Sequence, residues 1–580
     1  MERRCVRRAL KPLKMHMLSL LPMGRRRLLR SPYPAALLLS LALLLPIGGT
    51  VARSQSTAAP PQDPDAPCAQ CHAQISASWK STPMAHASGP AAEGFIPADF
   101  THAASGVHYR ISLDQGQVWL SYERPNAPPT RALKGRELLL SYLGSGKRGR
   151  TYLFEREGYW YEIPINWYAK KHLWDMTPHF LDAREMPFTL PVDPGCLRCH
   201  ASNVQESLPD ARNHFSSPPF PRGGITCESC HGDPSRHLAQ NGKGPILNPA
   251  KLDPVRRDSV CLECHLEGEV AVVKQGHKLV EFRPGDDLFE DAVYFEDGRK
   301  AGPGGRATSQ WESLLESACK QGSGERLNCT TCHDPHSSVS AEDRVSYYRA
   351  RCFACHSRLA SGHHAENPDC TSCHMPREET EDIAHEQVTD HRIQIASKPF
   401  TSPFAGEALV PIGGAKPGSR DEGIAWAQLA LRGDRTAGER AIRLLLQAET
   451  SDPGQASDTE LHTELGFLQQ VSGNRERAKE EYQQALKADP LNGTAAGDLA
   501  VLEAQAGDLA AALPLWQAAF AHDPGASAAG IDLALAQCRL GQATAAAKTL
   551  QRVLLFSPDN DAARRLSLAI TAGSQHCGNP

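Results

Sequence analysis

The sequence predicts a mainly α chain in two parts: an N-terminal domain of short helices and loops carrying a small antiparallel β insert, then a C-terminal α-solenoid. Three observations predict it. A five-residue pattern, C-x-x-C-H, occurs seven times between residues 68 and 374. Strand-like alternation interrupts the series at about 105–165. A 34-residue period of Gly, Ala and Pro runs through the C-terminal part. At 580 residues the chain is too long for one ordinary core. Its 6% aromatic content, with 46 Gly and 43 Pro, implies much loop and an interior not built from side chains alone.

Taken in order, the chain opens on a basic stretch. Ten Lys and Arg between Arg3 and Arg30 stand against one acid, Glu2, and an apolar run from Ala35 to Gly49 follows. Thr50-Val51-Ala52 supplies small residues for cleavage, so residues 1–52 are expected to be an export signal. The 15-residue run is short for a membrane span, although an uncleaved anchor is the competing reading. No later stretch is apolar enough to cross a bilayer. Removing the signal's net +9 takes the formal charge from −4 to −13, which argues against a nucleic-acid partner. A location in the periplasm, or otherwise outside the cytoplasm of a bacterium, is expected. Residues 53–66 read as a flexible leader.

The cysteines then set the chemistry of residues 67–394. Fourteen of the 18 lie in the repeated pattern: Cys68/Cys71/His72, Cys196/Cys199/His200, Cys227/Cys230/His231, Cys261/Cys264/His265, Cys329/Cys332/His333, Cys352/Cys355/His356 and Cys370/Cys373/His374. Chance would give about 0.02 copies at this Cys and His content. Two thiols three positions apart can add to the two vinyl groups of one haem, and the adjacent His then ligates the iron. A thioredoxin-like pair would come once, without an obligatory His. Zinc knuckles would be paired. A disulfide framework would not place His after every second Cys. Seven covalently bound haems c are therefore expected, six of them crowded into 196–375, where haem replaces a side-chain core. Of the other cysteines, Cys5 falls in the signal and Cys577 in the tail. Cys538 is read as a small core residue, and Cys319 as a buried structural thiol or a free thiol near a haem.

Each iron can take a second axial ligand, and thirteen further His in the haem region suffice for two His at every iron. The candidates singled out are His86, His108, His179, His237, His336, His363, His385 and His391. His237 follows His231 by six residues, His336 closes His-Asp-Pro-His, and His363 precedes the last motif. Between the first two motifs, 106–111, 118–122 and 159–163 alternate, punctuated by Gln115-Gly116 and Glu157-Gly158. Residues 395–419 read as a linker. Beyond it Gly473, Gly507 and Gly541 are 34 apart, as are Ala478, Ala512 and Ala546, and Pro490, Pro524 and Pro558. That is the tetratricopeptide (TPR) pattern, with about four repeats over 420–575, whose groove is expected to hold a protein segment or to cap the haem domain.

The chain resembles bacterial multihaem cytochromes of the cytochrome c-554/c-prime type, relatives of hydroxylamine oxidoreductase and pentahaem nitrite reductase, here fused to TPR repeats. The likeness covers roughly 66–395. It is carried by Cys68 to Ala85, Leu143-Gly144-Ser145-Gly146, Arg150-Thr151-Tyr152-Leu153, Ile165-Asn166-Trp167-Tyr168, Cys227 to His237, Cys329 to His336, Cys370 to Pro376 and Thr389 to Ile393. The resemblance implies an axial His where Met84 stands, so Met84 joins the candidate second ligands as one that would raise the potential. No catalytic set of the enzymatic relatives carries over. Neither a lysine-ligated motif nor an assignable tyrosine cross-link is present.

Two functions follow. One is electron transfer between redox partner proteins along a haem wire. The other is an oxidoreductase acting on a small nitrogen or sulfur compound at a five-coordinate haem, which requires an iron with an open face.

Overall fold

The computed structural model describes residues 63–299, 309–359, 367–377, 389–394, most of 402–413, 416–452 and 457–573, with Gly454, Cys577 and Gly578. The expected signal and the candidates His363 and His385 lie outside these residues. No helix among the described residues is long and apolar enough to cross a membrane.

The β insert is larger than the expected 105–165. Strands β1 (Ser88–Pro90), β2 (Ala98–Thr101), β3 (His108–Asp114), β4 (Gln117–Glu123), β5 (Lys134–Leu139), β6 (Ser141–Leu143), β7 (Gly149–Arg156), β8 (Tyr159–Glu162), β9 (Ile165–Tyr168), β10 (Leu173–Met176) and β11 (Leu190–Pro191) form two antiparallel sheets. One has the order β2-β3-β4-β5. The other runs β1-β6-β7-β8-β11, with β9 joining β7 to β10. The turns expected at Gln115-Gly116 and Glu157-Gly158 are two-residue hairpin loops with positive φ at both positions (49° and 78°, 56° and 86°). This is the backbone twist that joins right-twisted strands tightly. Alternation buries Val118, Leu120 and Tyr122 on one face of β4 against Tyr109, Phe154 and Phe188.

The haem-motif region contains more regular structure than the sequence suggests. Beside helices α1 (Pro254–His265), α2 (Gln310–Glu316) and α3 (Arg344–Cys355), strands β12 (Val270–Val273), β13 (Ala292–Glu296) and β14 (Val410–Pro411) make a third antiparallel sheet. β14 lies inside the segment read as a linker. Buried Leu409 and Ile412 flank it and anchor the chain there instead of leaving a free tether.

The C-terminal part is four helix pairs and a closing helix: α4 (Ser419–Leu431) with α5 (Arg435–Ser451), α6 (Thr459–Val471) with α7 (Arg475–Ala488), α8 (Gly493–Gln505) with α9 (Leu509–His522), α10 (Ser527–Arg539) with α11 (Ala543–Phe556), then α12 (Asp561–Thr571). Gly433, Gly473, Gly507 and Gly541 end the first helix of each pair at φ 105°, 85°, 90° and 78°, a conformation glycine adopts without a Cβ penalty. Ala478, Ala512 and Ala546 are fully buried where the helices cross. Cys538 is buried as expected, but it is not a lone core residue: it forms a disulfide with Cys577. The tail returns to that helix, with Gly578 N–H donating to Cys538 O at 2.8 Å, and this brings together thiols that are 39 residues apart.

Both ends of the solenoid pack on the rest of the chain. At the first, Ile424, Ala427 and Leu465 share a core with Val270, Val272 and Phe295, and Arg432 bridges to Glu269 at 2.8 Å. At the last, Phe556 enters the β-insert core beside Tyr159 and Tyr161. There Arg124 grips Asp559 through two hydrogen bonds of 2.7 and 2.6 Å, both side chains being less than 10% exposed.

Candidate haem centres

Each motif is built as one helical turn. The His N–H donates to the carbonyl of the first Cys, four residues back, at 2.8 Å in His72 and 2.9 Å in His231, His333 and His356. This turn places both thiols on one side of the chain. The second motif departs slightly, because His200 N–H donates to Leu197 O at 2.8 Å, three residues back, which tightens the turn. Short polar residues begin several of these turns. Asp193 accepts from Cys196 N–H, Asp369 from Thr371 N–H, and Asn328 forms a reciprocal capping box with Thr331.

Thirteen of the fourteen motif cysteines are free thiols. Burial pushes Cys230 and Cys352 up to about 11, which holds them neutral. Cys196 is half-buried against a cluster that includes Leu197 and Phe215. Cys71, Cys355 and Cys373 are exposed, and the other free motif thiols are half-buried. Cys319 is a free, half-buried thiol whose charge would be felt by Cys332 and Cys352.

The motifs adjoin one another through these thiols. Cys68 faces Cys227, Cys199 faces Cys264, Cys261 faces Cys329, and Cys352 faces Cys370. Cys230 lies near Cys261, and Cys332 near Cys355. All seven motifs therefore join in one series: first, third, fourth, fifth, sixth, seventh, with the second branching from the fourth. At the branch Cys199 Sγ meets Glu263 O at 3.7 Å, and Cys264 Sγ meets Arg198 O at 3.9 Å.

Three motif histidines each face a second histidine. Ring centroids of His72 and His237 are 6.5 Å apart with planes 17° from parallel. For His231 and His336 the values are 6.0 Å and 13°, and for His333 and His391 they are 6.4 Å and 32°. Two metal–nitrogen bonds of about 2 Å plus about 1.2 Å from each nitrogen to its ring centre put trans imidazoles about 6.4 Å apart. The three pairs match that span. Their other nitrogens are engaged: Nδ1 of His231 with Leu247 O (2.9 Å), of His237 with Gly244 O (2.9 Å), and of His391 with Thr389 O (2.8 Å). A carbonyl oxygen can only accept, so each Nδ1 carries the proton and Nε2 keeps its lone pair for a metal. Burial holds His333 and His391 below the usual histidine range, which favours the neutral ligating ring. These residues fit haem.

Facing histidine pairs thus stand at the first, third and fifth motifs. His200 and His374 belong to the second and seventh motifs. The backbone explains where each is held. His200 is tied to the start of the β insert: its Nδ1 lies 3.3 Å from Ala87 O, and its carbonyl accepts the Ser88 hydroxyl at 2.7 Å. His374 is tied to the segment after the last motif. Its Nδ1 donates to Gln394 O at 2.7 Å, and its carbonyl accepts Gln394 N–H at 3.0 Å. The same carbonyl-bound tautomer leaves their Nε2 atoms as the ligating ones. His265 and His356 are exposed at the ends of α1 and α3.

The pairing differs from what chain order suggests. His237 follows the third motif but faces the first motif's His72, and His336 follows the fifth but faces His231. His391, beyond the seventh, faces His333. Other candidates are placed elsewhere. His86 has both nitrogens engaged, with Lys80 O at 2.7 Å and Glu93 at 3.5 Å. His108 lies on β3 with Nε2 on Asp99 at 2.9 Å. His179 is exposed, at φ 74°. Met84 is half-buried, and its carbonyl accepts Ile225 N–H at 3.0 Å beside the third motif. Tyr348, not singled out in the sequence, lies with its hydroxyl 3.5 Å from His333 Nδ1. Among the described residues, the one cluster of His and carboxylates that could hold a free metal ion is Glu449, His462 and Glu481, where Arg477 already pairs with both acids.

Residues 169–232, with the second and third motifs, match the family described as cytochrome c554 and c-prime. Residues 322–361, with the fifth and sixth, match the doubled CXXCH motif, and 503–570 match the tetratricopeptide repeat. The chain is similar to the multiheme cytochrome MtrA of Shewanella baltica (strain OS185), at 24% identity over 213 residues. That alignment covers 33% of this chain and 63% of the relative's length, so less than two thirds of the relative is spanned. Among solved structures it is similar to MamA from Desulfovibrio magneticus RS-1 (20% identity, TM-score 0.25, covering 28% of this chain and 89% of that one). It is also similar to a tetratricopeptide repeat protein from Parabacteroides merdae ATCC 43184 (24% identity, TM-score 0.24, covering 26% and 58%).

Proposed function

We propose that this chain, a multihaem cytochrome of the cytochrome c554 and c-prime type joined to tetratricopeptide repeats, is an exported seven-haem electron carrier between redox partner proteins. The observation that carries the reading is the set of three facing histidine pairs, each at the span of two trans ligands. A metal closed on both faces can exchange electrons but cannot bind substrate. Haem c, when bound, supplies a one-electron ferric/ferrous couple. The motif cysteines tether it, the Nδ1 hydrogen bonds orient its ligands, and the thiol contacts between motifs keep neighbouring centres adjacent. The Cys538–Cys577 disulfide supports export, because such bonds persist in oxidising compartments. The repeat domain's groove is the proposed dock for a segment of a partner protein.

The test is EPR of the oxidised, purified holoprotein together with its intact mass. Low-spin signals alone, and a mass carrying seven haems, are expected. A high-spin ferric signal would overturn the carrier in favour of an oxidoreductase acting on a small nitrogen or sulfur compound. A mass carrying six haems would overturn the count.

A further inference from the structure

We propose that Asp334 makes the His231/His336 position the low-potential member of the three histidine pairs and so sets a downhill step from the third motif toward the fifth; this rests on the ligand pairs of the proposed function. The argument lies in what the second nitrogen meets in five of the six ligands. His231, His237 and His391 place Nδ1 against neutral backbone carbonyls. His333 has a neutral phenol, Tyr348, at 3.5 Å. His336 differs, because its Nδ1 lies 3.3 Å from a carboxylate oxygen of Asp334. The same Oδ1 accepts His336 N–H at 2.9 Å, and Oδ2 accepts the Ser337 hydroxyl at 3.0 Å, so the carboxylate is fixed beside the ring. Among the described residues no Lys or Arg pairs with Asp334.

A carboxylate 3.3 Å from Nδ1 polarises the ring so that the imidazole donates more strongly to its metal, and its negative charge also favours the ferric over the ferrous state. Both effects lower the potential. At the other end Tyr348 is a more distant neighbour than those carbonyls, so His333 donates less than the carbonyl-bound ligands. The third motif adjoins the fourth through Cys230 and Cys261, and the fourth adjoins the fifth through Cys261 and Cys329. The low and high positions are therefore separated by one centre.

The corresponding aspartate after the third motif, Asp233, supplies a control. It caps Ser235 N–H at 2.9 Å, while the nearby His237 ring turns to Gly244 O instead. The experiment is an EPR-monitored redox titration of the holoprotein. Asp334→Asn keeps the backbone and Ser337 contacts but removes the charge. His336→Ala identifies the centre concerned, by turning one low-spin signal high-spin. Asp334→Asn is expected to move that centre's midpoint upward and leave the centres identified by His237→Ala and His391→Ala in place. Asp233→Asn is expected to move none of them. An unmoved midpoint in Asp334→Asn, or an equal shift in Asp233→Asn, overturns the inference and leaves the ligand pairs standing. If His336→Ala produces no high-spin signal, the ligand reading fails first.

Discussion

His237 and His86 are both polar residues near the first and third motifs, yet their surroundings differ. Gly244 O occupies one nitrogen of His237 and leaves the other facing His72 across 6.5 Å. His86 has neither nitrogen to spare. No spacing rule separates the two, because the deciding partners are a backbone carbonyl and an acid placed by the fold. The seven motifs themselves were legible, since attachment needs its residues adjacent in sequence. Which histidine meets which depends on contacts more than 50 residues long and was not. A second residue-scale consequence concerns Asp532, on α10. Burial pushes its carboxyl from 3.8 up to about 6, against the pull of Arg539. Its folded value is thus above its unfolded one. Ionisation costs nothing below about pH 3.8, costs progressively more from there to about 6, and carries its full penalty above. Asp532→Asn should therefore stabilise the protein by about 2 kcal/mol at pH 8 and by nothing at pH 3.5, measured as thermal melts of the holoprotein.

The helix pairs of the repeat domain show how one residue type serves two purposes at the level of elements. Gly541 ends α10 because its φ is positive, and a Cβ there would touch little beyond Gly578. Gly530, inside the same helix, is there for space: a Cβ would collide with Val553 and stand 2.7 Å from Phe520. Alanine normally gains about 1 kcal/mol over glycine within a helix. Overpacking costs about 1–3 kcal/mol. Gly530→Ala is therefore expected to lower stability by about 1 kcal/mol, seen as a lower midpoint in urea. The 34-residue period exposed these elements because each repeat is a local unit. The third sheet stayed hidden for the opposite reason. β12, β13 and β14 are four, five and two residues long, and β14 pairs with β13 across more than 100 residues. The Cys538–Cys577 disulfide is another product of the returning chain that no spacing announced.

For the molecule as a whole, the solenoid is an arch fastened at both feet. α4 rests on the third sheet, and Phe556 with Asp559 fastens the far end to the β insert. A partner segment entering the groove would meet walls already set in place, which lowers the ordering cost of binding. The far foot depends on the Arg124–Asp559 pair, whose carboxylate also accepts Met186 N–H at 2.7 Å. Asp559→Ala leaves a buried guanidinium without its anion and should cost about 3–5 kcal/mol. Limited proteolysis of the holoprotein should then cut within the last repeats while the haem domain survives. An unchanged digestion pattern would show that the foot holds without this pair.

The three facing histidines also share a direction along the chain. His237 comes 165 residues after His72, His336 comes 105 after His231, and His391 comes 58 after His333. A polypeptide threading out of a translocation pore N-terminus first would present each attachment motif well before the residue that closes its far side. Every one of these centres would thus stay reachable from one face by the attachment machinery during synthesis. They would be sealed in turn as later segments arrive, with the last closure waiting on the stretch around His391. In a chain exported this way, maturation and folding would be one timed process, ordered by the sequence itself.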